Sequence, residues 1–415
     1  MNITVPVDAC SPNSSFAAPA QQISVPRVPL TKPNPPKLSR MIGALEDIEA
    51  SGIFSNFGPV NTRLEAAFIA QLFQSNGACV TVANATLGLM LAIRQAIGWQ
   101  PRGRYALIPS FTFAATAQAA IWCGLTPLFC DVDRETWLPD ASAETALLRQ
   151  YGDDIALILP NATFGNCLDL ARYDRLSTIH GIPVVIDAAA CLGSVNAQGQ
   201  AFGLGSRNAV VFSMHATKAF STGEGGLIYC ADEARIAALR TMANFGLSVE
   251  KLAVDAGINA KLGEVGALLA LSKLNEIDEV ATRRQELLQF YQSNLPDFEF
   301  QRMTGQRSAI QFVSALVPQA HAGQVPEIIS GLAADDIGAA HYFAPHLATH
   351  PFFKTHGIAA PLPVTEDLCR RIISLPMADT LNEADVAYVC DRLRRLCPAR
   401  KPRRRAAPGY LGSAT

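Results

Sequence analysis

This chain of 415 residues has no closely spaced cysteine pair, no N-terminal segment that resembles a signal peptide and no long apolar run. Its ten cysteines are dispersed and include no CxxC pair, so we expect neither a disulfide framework nor a metal site. The N-terminus has no basic start followed by an apolar block, and no segment is predicted to span a membrane. These absences together predict a cytoplasmic protein with reduced cysteines.

A strong net charge is also absent. The formal net charge is −2 and 17% of the residues are charged, which argues against a general nucleic-acid-binding protein. The glycine-rich stretch 199–205 does not match GxGxxG, so we expect no dinucleotide site there. The basic cluster at 400–405 is interpreted as a solvated, disordered end rather than a nucleic-acid-binding arm.

The length and the 49% hydrophobic content favour a soluble globular protein with two domains. Residues 1–25 are rich in Ser, Pro, Ala and Gln without periodicity, which predicts a mobile extension. We expect a large domain over 26–265, a linking helix and a smaller domain over 266–398, and a disordered basic tail over 399–415.

Short apolar runs alternate with helix-like segments through the first half of the chain. The runs are 80–82, 105–108, 128–130, 155–159, 183–186, 209–212 and 227–229. This alternation is typical of an α/β fold with a mainly parallel sheet, whose ligands bind at the carboxyl ends of the strands. Those ends carry Ser110, Asp131, Asp187 and Ser213. Further on, the apolar spacing predicts one long helix over 262–295.

Lysine is scarce in the middle of the chain, where Lys218 is the only lysine between Lys37 and Lys251. It lies in a polar, glycine-containing loop after the apolar run 209–212. A lysine at such a strand end is partly desolvated, which favours the neutral amine, and a Schiff base with an aldehyde or ketone requires a neutral amine. The alternative is an ordinary surface lysine in a turn, and this stretch alone does not separate the two.

A polar turn at Asn84, Ala85 and Thr86 joins the predicted strand 80–82 to a helix that starts near Thr86. Strand, polar turn and helix in this order aim free backbone N–H groups at an anion, commonly a phosphate. An ordinary helix cap would have the same sequence.

A carboxylate at Asp187 directly follows an apolar strand and precedes three alanines. Burying a carboxylate is costly unless it has a cationic or hydrogen-bonding partner. The partner would be either a side chain of the protein, in a structural ion pair, or a cation of the ligand.

Six segments, taken in order, resemble the motifs of the sugar aminotransferases related to DegT, DnrJ, EryC1 and StrS, and the resemblance as a whole covers about residues 26–395. They are SNFGP (55–59), NAT (84–86), PSFTFAAT followed by CDVD (109–133), DAAACLGS (187–194), FSMHATKAFSTGEGG (212–226) and GINAKLGEVGA (257–267).

The resemblance implies the α/β architecture of PLP-dependent transferase fold type I, which is aspartate-aminotransferase-like. That architecture has a large domain with a mainly parallel seven-stranded sheet and a smaller C-terminal α+β domain. It also implies pyridoxal 5′-phosphate as the cofactor. By the same resemblance Lys218 binds the cofactor covalently and later moves a proton between the substrate carbon and the cofactor. Asp187 would keep the ring nitrogen protonated.

Further roles follow from the same resemblance. Phe113 would stack on the cofactor ring, although core packing explains an aromatic residue there equally well. Asn84, Ala85, Thr86 and Ser213 would hold the phosphate through N–H groups and hydroxyls. Asn259 would reach the phosphate from a neighbouring subunit, which implies a homodimer with shared active sites.

The chain also departs from the family pattern. Ala190 stands where Gln or His is common, so a contact to the phenolic oxygen of the cofactor is missing or comes from another residue. Asn84 and Ala85 replace Ser and Gly. Residues 339–346 only loosely resemble the family's segment near the sugar. Related sugar dehydratases carry His in place of the lysine, so Lys218 favours transamination over dehydration.

These features predict a transaminase that moves an amino group from L-glutamate to a nucleotide-linked keto-deoxysugar, with C4 of a dTDP-4-keto-6-deoxyhexose as the best candidate. The product would serve surface polysaccharide or glycoside biosynthesis. One alternative is a family member that acts on a 3-keto sugar, a cyclitol or an aminobenzoate-type substrate. Another is a catalytically silent relative that acts as a sensor or scaffold.

Overall fold

The computed structural model describes residues 25–398. The predicted basic tail and all but Val25 of the predicted N-terminal extension lie outside this range. The domain boundaries proposed above stay predictions. None of the helices within 25–398 is both long and apolar enough to cross a membrane.

Helices and strands alternate through the first half of the chain. The strands are β1 (Ala78–Val82), β2 (Tyr105–Pro109), β3 (Thr126–Cys130), β4 (Ile155–Ile158), β5 (Val185–Asp187), β6 (Ala209–Ser213), β7 (Gly226–Cys230), β8 (Glu299–Phe300), β9 (Val313–Leu316), β10 (Ile358–Ala359) and β11 (Ile372–Leu375). The helices are α1 (Ile42–Ser51), α2 (Pro59–Gln71), α3 (Ala85–Ile97), α4 (Ala114–Trp122), α5 (Ala141–Tyr151), α6 (Leu170–His180), α7 (Glu233–Ala243), α8 (Glu264–Leu274), α9 (Ile277–Asn294), α10 (Val325–Ala334), α11 (Pro351–His356), α12 (Pro363–Arg371) and α13 (Glu383–Leu396).

The large sheet has the strand order β1-β7-β6-β5-β4-β2-β3-β10. It consists of two four-stranded ladders, which isolated parallel bridges join at Ile158–Val184 and Asn161–Asp187. Within residues 25–398, β7 is the one strand of this sheet that runs antiparallel to its neighbours. The predicted seven strands and their mainly parallel arrangement are confirmed. The short β10, from the C-terminal part of the chain, adds an eighth strand beside β3.

Helices cover both faces of this sheet, which is why its strands are almost continuously apolar. Every residue of β2, β6 and β7 is buried. Gly88 lets α3 lie close to the sheet, because an added Cβ atom would lie 3.0 Å from Val211 and 3.1 Å from Val82. The first turns of α3 therefore pack closely against β1 and β6.

The C-terminal part of the chain is a smaller α+β unit, as predicted. Its antiparallel sheet has the order β11-β9-β8, and helices α9, α10 and α13 contribute to the same apolar core. Val28, from the N-terminal arm, is fully buried in that core.

The prediction of one long helix over 262–295 is wrong. The structure has two helices, α8 and α9, which are separated at Asn275 and Glu276. The apolar spacing continues across the break, so periodicity alone did not reveal it. The side chain of Lys273 is buried at this corner, and its Nζ donates to Glu276 Oε2 at 2.8 Å.

The turn 55–59 is anchored by a buried carboxylate from α8. Glu264 accepts hydrogen bonds from the backbone N–H groups of Val60, at 2.7 Å, and Asn61, at 3.0 Å. These N–H groups belong to the first turn of α2 and have no partner within that helix. A Cβ atom on Gly58 would lie 2.7 Å from Glu264 Cδ, so this glycine lets the carboxylate approach. The first and last of the six motif segments thus meet in space.

Candidate active site

Polar side chains from several strands meet at the carboxyl edge of the large sheet. β5 ends at Asp187 and β6 ends at Ser213, and these strands are parallel neighbours. The loop after β6 carries Lys218. The site is built at the place where a parallel α/β sheet is expected to hold its ligand.

Lys218 is partly buried in this loop. Its Nζ donates a hydrogen bond to Gln311 Oε1 at 2.8 Å. Burial lowers the pKa of Lys218 to about 8, and the nearby Asp187 carboxylate opposes that shift. At pH 7 roughly a tenth of such amines are neutral, against fewer than about one in a thousand for an ordinary lysine. The loop thus holds an amine that is prepared to act as a nucleophile.

Asp187 is 3% exposed. Its Oδ2 accepts from the Thr116 hydroxyl at 2.6 Å, and its Oδ1 accepts from the Ala189 N–H at 3.0 Å. Burial raises the pKa of this carboxyl, while these two hydrogen bonds and the positive charge of Lys218 oppose the rise. Within residues 25–398, Asp187 belongs to none of the ion pairs. A positively charged ligand atom would therefore stabilise its ionised form.

The N-terminus of α3 forms a second corner of the site. Asn84 caps the helix by accepting from the Leu87 N–H at 2.9 Å, so the ordinary cap considered above is present. The N–H groups of Ala85 and Thr86 precede the first intrahelical donor and remain for an anion. Gly226 lets β7 approach this turn, since a Cβ atom there would lie 2.9 Å from Ala85 N.

Ser213 lies beside that corner. It is the register partner of Gly226 in the pair formed by β6 and β7, and Gly226 is in turn paired with Val82 at the end of β1. The Ser213 hydroxyl accepts from the His215 N–H at 3.2 Å, which leaves its own proton for a further acceptor. The structure thus brings Ser213 and the Asn84–Thr86 turn together, and their binding of a phosphate stays a prediction.

Aromatic rings form one wall of the site. Phe113 precedes α4 and is 58% exposed, so core packing does not account for it. Its ring centroid lies 6.3 Å from that of Phe343, which stacks on Phe164 at 4.9 Å. Tyr342 stacks on Phe312 at 5.1 Å. The segment 339–346 therefore reaches this wall from the C-terminal part of the chain.

The Asn259 side chain makes no hydrogen bond to these residues within the part of the chain that the structure describes. It is exposed on a segment that pairs with Asn244, and the next residue, Ala260, accepts a hydrogen bond from Ala83 N at 2.7 Å. Its predicted action on a neighbouring subunit stays a prediction.

Sequence reasoning missed two contacts in the site. Thr116 lies at the end of the PSFTFAAT segment, but no pattern indicated that its hydroxyl binds Asp187. Gln311 comes from the C-terminal part of the chain, outside every motif. Ala190 presents only a methyl group, as the sequence indicated, whereas Gln311 brings an amide to Lys218 from another direction.

Comparisons with known proteins agree on one family. The model of the DegT/DnrJ/EryC1/StrS aminotransferase family matches residues 38–394. Protein MT3510 of Mycobacterium tuberculosis (strain CDC 1551 / Oshkosh) is 33% identical over 373 residues, which are 88% of this chain and 89% of that protein.

Solved structures agree as well. A Bacillus cereus protein described as a PLP-dependent aminotransferase has a TM-score of 0.84 and 32% identity, and the match covers 88% of this chain and 99% of that one. DesI, solved in the presence of its TDP-sugar product, has a TM-score of 0.80 and 28% identity, with 90% and 93% covered.

Proposed function

Because the chain belongs to the DegT/DnrJ/EryC1/StrS aminotransferase family, we propose that it transfers an amino group from L-glutamate to a keto group on a nucleotide-linked deoxysugar. The best candidate is C4 of a dTDP-4-keto-6-deoxyhexose, and the reaction would take place in the cytoplasm during polysaccharide or glycoside biosynthesis. The observation that carries the proposal is the position of two groups at one edge of the sheet: the buried carboxyl of Asp187 at the end of β5, and the Lys218 amine, whose pKa is lowered, in the loop after the neighbouring β6.

Family membership makes the chain an aminotransferase that uses pyridoxal phosphate. The residues fit this cofactor in three ways. The buried Asp187 suits a protonated ring nitrogen, the N-terminus of α3 with Ser213 suits a phosphate, and the exposed ring of Phe113 suits an aromatic partner. The site therefore has polar groups at two ends, for the ring nitrogen and the phosphate, and an apolar wall between them for the face of the cofactor ring.

When bound, the cofactor supplies a carbonyl group that carries the amino group and a ring that takes up an electron pair from the substrate carbon. Lys218 would bind the cofactor between turnovers. Once released from the cofactor, its Nζ would take the proton from the substrate carbon and deliver it to the cofactor. Asp187 would hold the ring nitrogen proton in place.

Two features support a nucleotide-linked sugar as the amino acceptor. DesI, which is 28% identical, was solved with a TDP-sugar product. Besides Phe113, which is assigned to the cofactor, the aromatic wall presents the partly exposed ring of Tyr342, at 37%. Rings of this kind offer stacking surfaces for a base or for the apolar face of a sugar.

Substrate profiling tests the acceptor. With L-glutamate as donor, the purified protein should aminate dTDP-4-keto-6-deoxyhexose at C4. The kcat/KM for the 3-keto isomer should be lower by at least about a hundredfold, because its keto group would lie out of line with the Lys218 amine. The product is identified by mass spectrometry and NMR. Amination of the 3-keto isomer, or of a cyclitol, in the absence of a 4-amino product would refute the C4 assignment.

A homodimer with shared active sites is part of the proposal. Segment 245–258 exposes a group of large apolar side chains next to Asn259, namely Phe245, Val249, Leu252, Val254 and Ile258. A short segment with this many exposed apolar side chains favours contact with another protein surface, and a second copy of the chain would place Asn259 beside a neighbouring phosphate site.

Mixing two defective variants tests the shared site. Lys218→Ala lacks the amine, and Asn259→Ala should bind the cofactor more weakly. A mixed dimer has one site with both residues intact, so random mixing should restore about a quarter of the parental activity if Asn259 acts across a two-fold interface. If the mixture is no more active than the sum of the two variants, Asn259 does not act on the partner.

A further inference from the structure

A directional chain of hydrogen bonds ends on the amine of Lys218. Lys218 Nζ donates to Gln311 Oε1 at 2.8 Å. The other end of the same amide, Gln311 Nε2, lies 3.2 Å from Thr217 Oγ1. This hydroxyl oxygen lies 3.0 Å from His215 Nδ1. His215 Nε2 lies 3.6 Å from Glu224 Oε1. The sequence separates Gln311 from the other members by more than ninety residues.

The geometry fixes which end of the Gln311 amide faces the lysine. The Thr217 N–H donates to His215 Nδ1 at 3.3 Å, so this ring nitrogen is an acceptor and the imidazole proton lies on Nε2. The Thr217 hydroxyl then donates to the same nitrogen and accepts from the Gln311 NH₂ group. Reversing the amide would place NH₂ against the ammonium form of the lysine, a donor facing a donor, and would place the amide oxygen against Thr217 Oγ1, whose proton is already donated to His215 Nδ1. Its carbonyl oxygen must therefore face Nζ.

The backbone around Gln311 is held from both sides. Arg284 Nη1 donates to the carbonyl of Ile310 at 2.8 Å, and Arg284 Nη2 lies 3.2 Å from Asp379 Oδ1. On the large-sheet side, the N–H of Ala309 donates to the Ser194 hydroxyl at 2.9 Å. The Gln311 side chain is 7% exposed, so water has little access to compete for the lysine.

We propose that Gln311 is a positioning residue for transamination, whose side-chain carbonyl holds one N–H of the Lys218 amine in place whenever that amine is not bonded to the cofactor. The lone pair of the neutral amine is then left free to take up the proton that the amine moves or to attack the cofactor again. This inference rests on the role proposed for Lys218.

The first test measures the amine in the cofactor-free protein. Trace acetylation with acetic anhydride between about pH 6 and pH 11, followed by mass spectrometry of the Lys218 peptide, yields the pKa of the amine from its rate profile. Gln311→Leu removes an acceptor that stabilises the ammonium, so the pKa should fall by about one unit. Gln311→Glu places a negative charge there and should raise the pKa by about one unit or more.

Gln301→Leu is the matched control. Gln301 is also a buried amide of the C-terminal part, and its Nε2 donates to Thr136 O at 2.7 Å and to Thr163 O at 3.2 Å. It does not touch Lys218, so its loss should leave the pKa unchanged. A pKa that is the same in Gln311→Glu as in the parent overturns the proposal, even if Gln311→Leu fails to fold.

Loaded enzyme gives a second readout. In Gln311→Leu we expect kcat to fall about tenfold to a hundredfold with little change in the KM for glutamate, because proton transfer depends on the aim of the amine and glutamate binding does not. A changed KM with the parental kcat would assign Gln311 to substrate binding and contradict the proposal. Borohydride reduction and mapping of the cofactor-bearing peptide tests Lys218 separately, so failure of the proposed function is distinguishable from failure of this inference.

Discussion

Replacing Lys218 with alanine should abolish transamination and leave the fold intact. In the proposed function the amine is both the attachment point of the cofactor and the group that moves the proton, and no other described lysine lies in this loop. Loss of a residue with both roles lowers kcat by more than about 10⁴-fold. The measurement is the single-turnover rate with L-glutamate at saturating cofactor.

Stability should survive this change for a physical reason. Burial lowers the pKa of Lys218 to about 8, which means that the folded protein holds its charged form at a cost. Below pH 8 removing the amine relieves that cost, so we expect an unchanged or slightly higher midpoint of urea unfolding. Lys354→Ala, at an exposed lysine in α11, is the control and should keep parental activity. Substantial turnover by Lys218→Ala would refute the whole assignment of the site.

The second large effect is expected at Asp187. Asp187→Asn keeps the shape of the side chain and removes the negative charge, so in the proposed function the protonated ring nitrogen of the cofactor would lose the charge that stabilises it. We expect kcat to fall about a thousandfold, which corresponds to about 4 kcal/mol of transition-state stabilisation. The measurement is the steady-state kcat with glutamate, together with the amount of cofactor bound.

Asp131 supplies a matched control for this prediction. It too follows a buried strand at the carboxyl edge of the sheet, but its carboxylate accepts from the N–H groups of Val364 and Thr365 at 2.9 and 2.8 Å. Asp131→Asn should therefore lower the free energy of unfolding by about 1–3 kcal/mol and change kcat far less. Equal kcat losses in the two variants would show that any buried carboxyl at this edge matters in the same way, which contradicts the role of Asp187.

The sequence predicted the large sheet well because its strands are buried on both faces. Runs such as 105–108 and 209–212 are continuously apolar, and turns and helices separate them clearly. The break between α8 and α9 was missed because the apolar spacing continues through it. At that corner the buried Lys273 donates to Glu276, three residues further along the chain, and the spacing of apolar residues carries no information about such a charged pair.

The candidate site was predictable where its residues lie at strand ends. Lys218 and Asp187 follow neighbouring strands of one sheet, so their proximity follows from topology. Contacts that cross between distant parts of the chain were not predictable. Gln311 approaches from a connection before β9, and Asp131 turned out to cap α12. In both cases only the packing of the C-terminal unit against the sheet decides the role of the side chain.

One measurement tests the central claim most directly: the absorbance spectrum of the purified protein with pyridoxal phosphate, before and after L-glutamate is added. The account predicts a visible band from the cofactor attached to Lys218, its replacement by the shorter-wavelength absorbance of the amine form when glutamate is added, and its return with a keto sugar. A protein that takes up no cofactor, or a visible band that glutamate leaves unchanged, would contradict it.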